Sequence, residues 1–375
     1  MKRLHPQYVT GLMFLALMGA AGFFAARTFE EMRQPDVVIA GPGVTRVGSL
    51  ADYHQPLRGT HGDTPVYYLE SGNPGPTILV LGGVHPNEPA GFLAAVVLVE
   101  NAVTKAGRII IIPQASLSGF TCTDPLEGSP QHYDILTRNG TRRFRYGARG
   151  MNPLDQWPDP LVYLHYPSGQ RLSGIETRNL NRSYPGRADG TFTEQVAYAI
   201  MRLIRVEHVA LAFDLHEAAP EYPVINAIVT HEKGEEIAAA AMLDLELEDL
   251  DYTLELSPKR FRGLSHREWG DSTGAIPFLM ETGNIMQGRL HGRSSPELIL
   301  TGKDEMYLKA AAIGLVRIPY DSAGVPIRVR VGRHLAGIRA LLDAFNAKFP
   351  ERQAIVDNIP TYSDLEEHDL GYYLR

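Results

Sequence analysis

Three apolar runs, at residues 77–84, 209–215 and 275–281, constrain the fold of this 375-residue chain more than any other feature. Each is short and rich in Val, Ile, Leu or Phe, and each reads as a strand. Runs at 66–69, 108–113 and 222–229 read the same way. Between and after them lie helical stretches at 90–104 (with Pro89 near its start), 193–206 (with Thr193 as N-cap), 234–247, 303–315 and 331–349. Strands alternating with helices predict an α/β sheet that is at least partly parallel. Ligands of such sheets bind beyond the carboxyl ends of the strands.

Chemistry-bearing residues stand at those ends. The run 77–84 closes on Gly82-Gly83-Val84-His85-Pro86-Asn87-Glu88-Pro89, and the run 209–215 on Phe213-Asp214-Leu215-His216-Glu217. Residues three apart in a strand point to opposite faces, so His85 and Glu88 converge only if the chain turns, which Pro86 and Pro89 enforce. Alone, the pair is as compatible with a surface turn as with a metal site, and a lone histidine like His216 is more often packed than ligating. Together, His85, Glu88 and His216 form a three-ligand N/O set for one Zn²⁺ that leaves a fourth position open, the arrangement of a catalytic site. Glu281, closing the run 275–281, is a surface cap or a carboxylate held in a pocket. Near a metal it suits the general base.

Arg178-Asn179-Leu180-Asn181-Arg182 puts two guanidinium groups and two amides in one loop, suited to a substrate carboxylate or an oxyanion, or else simply solvated. Residues 116–187 carry many Gly, Pro, Arg and Tyr without a clear period and read as a functional or insertion-bearing region. Cys122, the only cysteine, excludes an intrachain disulfide and an all-thiolate metal site. The net charge of −7 argues against a nucleic-acid footprint. There is no Gly-x-Ser-x-Gly elbow, phosphate loop or His-Glu-x-x-His helix, and Gly41-Pro42-Gly43 reads as a turn.

Residues 1–33 read as a targeting or anchoring segment. Lys2 and Arg3 precede an uncharged stretch from 9 to 26, about the minimum for a membrane span. The expectation is an uncleaved anchor with the catalytic domain outside the cytoplasm. The alternative is a secreted or periplasmic protein after cleavage. Residues 34–375 would form the hydrolase domain, with a motif-bearing core at about 64–318.

The His85/Glu88 pair, Asn181-Arg182, His216 in its Asp-Leu-His context and Glu281-Thr282-Gly283 follow the order of the zinc carboxypeptidase superfamily. Within it the chain most resembles the succinylglutamate desuccinylase/aspartoacylase branch, over roughly residues 64–290. The resemblance implies His85, Glu88 and His216 as zinc ligands, Glu281 as general base, and Asn181 with Arg182 as the substrate-carboxylate site. It also implies a mixed, largely parallel twisted sheet with helices on both faces. This sequence departs from the family pattern at Pro86, Asn179 and Glu217. The carbonyl-polarising arginine does not align; Arg178 is the choice, with Arg149 and Arg171 as rivals. The helical look of 303–349 departs from the β-rich C-terminal domain often found in the aspartoacylase branch.

The reading is zinc-dependent hydrolysis of an amide next to a carboxylate-bearing amino acid, as in N-acyl amino acid deacylation. A membrane-anchored carboxypeptidase acting on peptides, cell-wall stem peptides included, competes within the class. A non-catalytic, membrane-tethered binding module competes from outside it.

Overall fold

The computed structural model describes residues 5–124 and 128–375, so Lys2 and Arg3 lie outside the described residues. The chain divides into two compact units, Met1–Pro35 and Asp36–Arg375. The first consists of helix α1 (Pro6–Met32), none of whose residues is buried. Among the described residues it is the one helix long and apolar enough to cross a membrane, a test that a signal sequence also passes.

The second unit is built on an eight-stranded sheet. In chain order its strands are β1 (Arg46–Ser49), β2 (Pro65–Glu70), β3 (Thr77–Leu81), β4 (Arg108–Ile112), β5 (Val209–Ala218), β6 (Ala227–Thr230), β7 (Thr253–Leu256) and β8 (Ile276–Gly283). Their spatial order is β1-β2-β4-β3-β5-β8-β6-β7. The central four, β4, β3, β5 and β8, run parallel; β1, β2 and β6 introduce the antiparallel pairings. The mixed, largely parallel architecture expected from the sequence is the one observed.

Alternation along each strand divides the core in two. Ile78, Val80, Phe213, Leu215, Phe278 and Met280 face one layer, packed under α2 (Pro89–Asn101), α4 (Glu235–Leu247) and α6 (Ile327–Lys348). Leu79, Leu81, Ile110, Ile112 and Ala212 face the other, under α3 (Phe192–Val206) and, through Trp269, α5 (Ser265–Ser272). Helix α2 is apolar all round because residues 89–100 are all buried. Truncating a side chain such as Phe92 there costs about 3–5 kcal/mol.

Several boundaries differ from the sequence expectation. Helix α2 stops at Asn101, and Val103–Ala106 instead pairs with the strand Ile355–Asp357. Thr191, not Thr193, caps α3, through a capping box with Glu194. The run 222–229 contributes strand only from Ala227, because the chain turns through a left-handed Asn226 (φ 45°). The aperiodic 116–187 stretch contains two small hairpins, His132–Thr137 with Gly140–Arg145 and Val162–Leu164 with Arg171–Ser173.

Candidate metal centre

The chain leaves β3 at Leu81 and turns at Gly83, whose φ of +60° disfavours any side chain. A Cβ there would also meet the Pro113 carbonyl at 2.7 Å. The next turn is closed by Glu88 N–H donating to the His85 carbonyl (2.9 Å), which folds Glu88 back beside His85. His216 lies within β5 rather than just past it, since β5 runs on to Ala218. Helix α2 passes over β5 so closely that a Cβ on Gly91 would sit 2.2 Å from the Leu215 carbonyl.

These backbone paths bring three buried side chains together. The His85 Nδ1 lies 2.8 Å from Glu88 Oε1, and the His216 Nδ1 lies 2.7 Å from Glu88 Oε2. The two Nδ1 atoms are 3.1 Å apart, and one ligand atom from each of the three residues lies within 4.8 Å of the others. Each imidazole turns its far nitrogen outward onto an acceptor: His85 Nε2 to Asn179 Oδ1 (2.9 Å), His216 Nε2 to Asp214 Oδ2 (3.0 Å). The Ser265 hydroxyl holds that same Asp214 oxygen. With protons on the outer nitrogens, both inner nitrogens offer lone pairs to one point, the outer-shell arrangement of histidine metal ligands. Burial, helped by Arg149, pushes His85 down to about 4 and keeps it neutral. Burial opposes the shift, but Asp214 and Glu88 raise His216 well above its usual range, and, against burial, the bonds from His85 and the charged His216 hold the Glu88 carboxyl well below its own. Two imidazoles and a carboxylate fit zinc.

Glu281 is the direct neighbour of His216 in the parallel β5–β8 register and so shares its face. Its Oε2 is shielded from solvent and has no hydrogen-bond partner. Burial raises its carboxyl to about 8, opposed by His216 and reinforced by Glu88.

Glu217 points to the opposite face. It accepts from Ala90 N–H (2.8 Å), capping α2 from a neighbouring strand, and pairs with Arg330 of α6 at 2.6 Å. Its backbone N–H donates to Glu88 Oε2 (3.1 Å), and Asn284 Nδ2 reaches its carboxylate at 3.3 Å. One side chain thus ties together both ligand-bearing segments and the end of β8.

The arginines are placed differently from the sequence choice. Arg178 has all three guanidinium nitrogens committed, two to Asp159 (2.8 and 2.9 Å) and one to the Met151 carbonyl (2.7 Å), so it braces a loop. Arg171 is exposed on its hairpin. Arg149 is the one that reaches the cluster, 3.2 Å from Glu88 Oε1 and 3.3 Å from His85 Nδ1. Arg182 is largely buried, donates to the Asn181 carbonyl (2.6 Å), and is pushed down by burial and by Arg149. Asn181 accepts from Ser265 N–H (2.8 Å) and faces His216 Nε2 at 3.5 Å. Sequence reasoning gave no role to Asp214 or to Gln287, whose amide donates to Glu88 Oε1 (3.1 Å), and read Asn179 as a loop amide rather than as the partner of His85. Asp214 had a signal, standing two residues before His216 on the same strand face. Arg330 had none.

No family model matches the chain. A curated relative, N-alpha-acetyl-L-2,4-diaminobutyric acid deacetylase of Halomonas elongata, is 25% identical over 283 residues, 68% of either chain. Among solved structures, a succinylglutamate desuccinylase from Silicibacter sp. TM1040 is similar at 18% identity and a TM-score of 0.36, over 60% of this chain and 57% of its own. A metallo-carboxypeptidase from Burkholderia cenocepacia is similar at 12% identity and a TM-score of 0.46, over 86% of this chain and 69% of its own. This chain thus spans little more than half of the desuccinylase. By name these similar proteins are a deacetylase, a desuccinylase and a metallo-carboxypeptidase.

Proposed function

We propose that this chain is a zinc-dependent amidohydrolase that cleaves an amide next to a carboxylate-bearing amino acid, in the manner of an N-acyl amino acid deacylase. The observation that carries this reading is the Glu281 carboxylate opposite His216, one oxygen of which is shielded and without a partner, beside a buried His–Glu–His cluster. His85, Glu88 and His216 would hold the zinc, which supplies Lewis-acid polarisation of a carbonyl and lowers the pKa of water. Glu281 takes the proton of the attacking water and passes it to the leaving amine. A carboxyl raised by burial suits both halves of that task. Arg149, partly exposed and 3.2 Å from Glu88, steadies negative charge on the carbonyl oxygen. Arg182 binds the substrate carboxylate, with Asn181 holding its loop against His216. Arg178 takes no part in this scheme.

Anchored carboxypeptidase action on peptides is the second reading, favoured by the apolar helix α1. Zinc-loaded protein assayed for amine release from N-acyl amino acids and from short peptides separates the two. Release from N-acyl amino acids, lost when the substrate carboxylate is amidated, is the expected result. Hydrolysis of peptides alone favours the second reading, and hydrolysis of neither contradicts both.

A further inference from the structure

We propose that residues 154–175 form a docking face for a lipid bilayer. This goes beyond the hydrolase reading and does not depend on it. The segment exposes apolar side chains to a degree unusual for a folded domain: Leu161 is 99% exposed, Leu154 78%, Trp157 73% and Leu164 60%, with Ile175 beside them in sequence at 59%. Val162 and Leu164 alternate with buried Tyr163 and so share the outer face of their hairpin.

The face is preformed. Asp159 is fixed by Arg178, and Gln156 Nε2 donates to the Thr177 carbonyl (2.9 Å). The chain crosses itself so tightly at Gly174 that a Cβ there would lie 1.7 Å from the Pro160 carbonyl. Its charge is arranged for a lipid surface. Both carboxylates of the run 154–166 are paired, Asp155 with His61 (2.9 Å) and Asp159 with Arg178 (2.8 Å). One exposed cation, Arg171, lies at its edge, opposite Leu164 in the hairpin register; Arg187, 5.3 Å from the Tyr166 ring centre, is paired with Glu194 at 2.9 Å. Trp and Leu flanked by arginine is the composition of an interfacial segment at an anionic membrane. In sequence, only residues 33–35 separate the apolar helix α1 from Asp36.

The test uses residues 36–375, a unit with its own sheet and both core layers, so the helix cannot supply the binding. Trp157 is exposed and Trp269, the other tryptophan, is fully buried, so a lipid-induced blue shift reads Trp157. Phosphatidylcholine vesicles with phosphatidylglycerol should shift the emission and sediment the protein, and pure phosphatidylcholine should do so more weakly. Leu161→Asp with Leu164→Asp should weaken vesicle binding about tenfold or more, and the milder Leu161→Ser should weaken it less. The Trp269→Phe variant should keep the shift. No shift with either vesicle overturns the proposal. So does a shift that grows with protein concentration without lipid, because a second copy then covers the face. Hydrolysis by the same fragment is scored separately, so loss of vesicle binding leaves the amidohydrolase reading standing.

Discussion

Glu217 and Glu281 stand on adjacent parallel strands, one register step apart and on opposite faces of the sheet. Burial raises both carboxyls. On the α6 face Glu217 meets Arg330, Ala90 N–H and Asn284, and its lone pairs are used. On the face shared with His216, Glu281 keeps an oxygen with no partner. The difference is one of partners, not of residue type: Glu217 is fully buried with its partners, while Glu281 is only partly buried and its shielded oxygen has none. A buried carboxylate with a full set of partners fixes geometry; one left unsatisfied keeps the capacity to take up a proton.

The largest effect should separate the two by kinetics. Glu281→Gln should lower kcat by about 10²–10⁴-fold while zinc content and thermal midpoint stay near wild type. Wild-type turnover would remove Glu281 from the chemistry. Stability should move the other way for Glu217. Glu217→Gln strands Arg330 in the interior and should cost about 3–5 kcal/mol in urea unfolding, whereas Glu217→Met with Arg330→Met should recover most of it. If the single variant is as stable as wild type, the pair is not the clamp described. Smaller again is the effect of the histidine partners. Asn179→Ala should weaken zinc binding by about 10–100-fold, read by calorimetry. Arg178→Ala should lower the unfolding midpoint more than zinc affinity.

The smallest expected effect concerns carboxylates at the surface. Glu232 is drawn from its ordinary 4.5 to about 2 by its bond to Arg267. Asp271 is also held at about 2, where bonds from His231 and Arg262 outweigh the opposing burial. Folded values below unfolded ones mean stability that is complete above the ordinary carboxylate range and is lost as pH falls toward 2. Solvent screening keeps the loss small. Thermal midpoints from pH 5 to 2 should fall less steeply in Arg267→Met than in wild type. Parallel curves would show the network to be inert.

What the sequence made legible follows from locality. His85, Glu88, His216 and Glu281 each close an apolar strand, and a parallel sheet brings strand ends to one edge, so their meeting could be argued without coordinates. Glu217 was visible as a departure from the family pattern, but its reason, Arg330, lies 113 residues away on a helix with no local signal. A loop arginine reads the same in sequence whether it faces substrate or an aspartate; only the fold shows that Arg178 is bonded to Asp159 and the Met151 carbonyl. The ends of α2 and β6 were missed where tertiary pairing and a left-handed Asn226 override apolar runs.

The most direct measurement is a calorimetric zinc titration of chelator-stripped protein, wild type beside His216→Ala. One zinc per chain in wild type, with affinity largely lost in the variant, is the predicted result. Absence of saturable zinc binding, or equal binding by the two proteins, would contradict the assignment of His85, Glu88 and His216 as a metal centre.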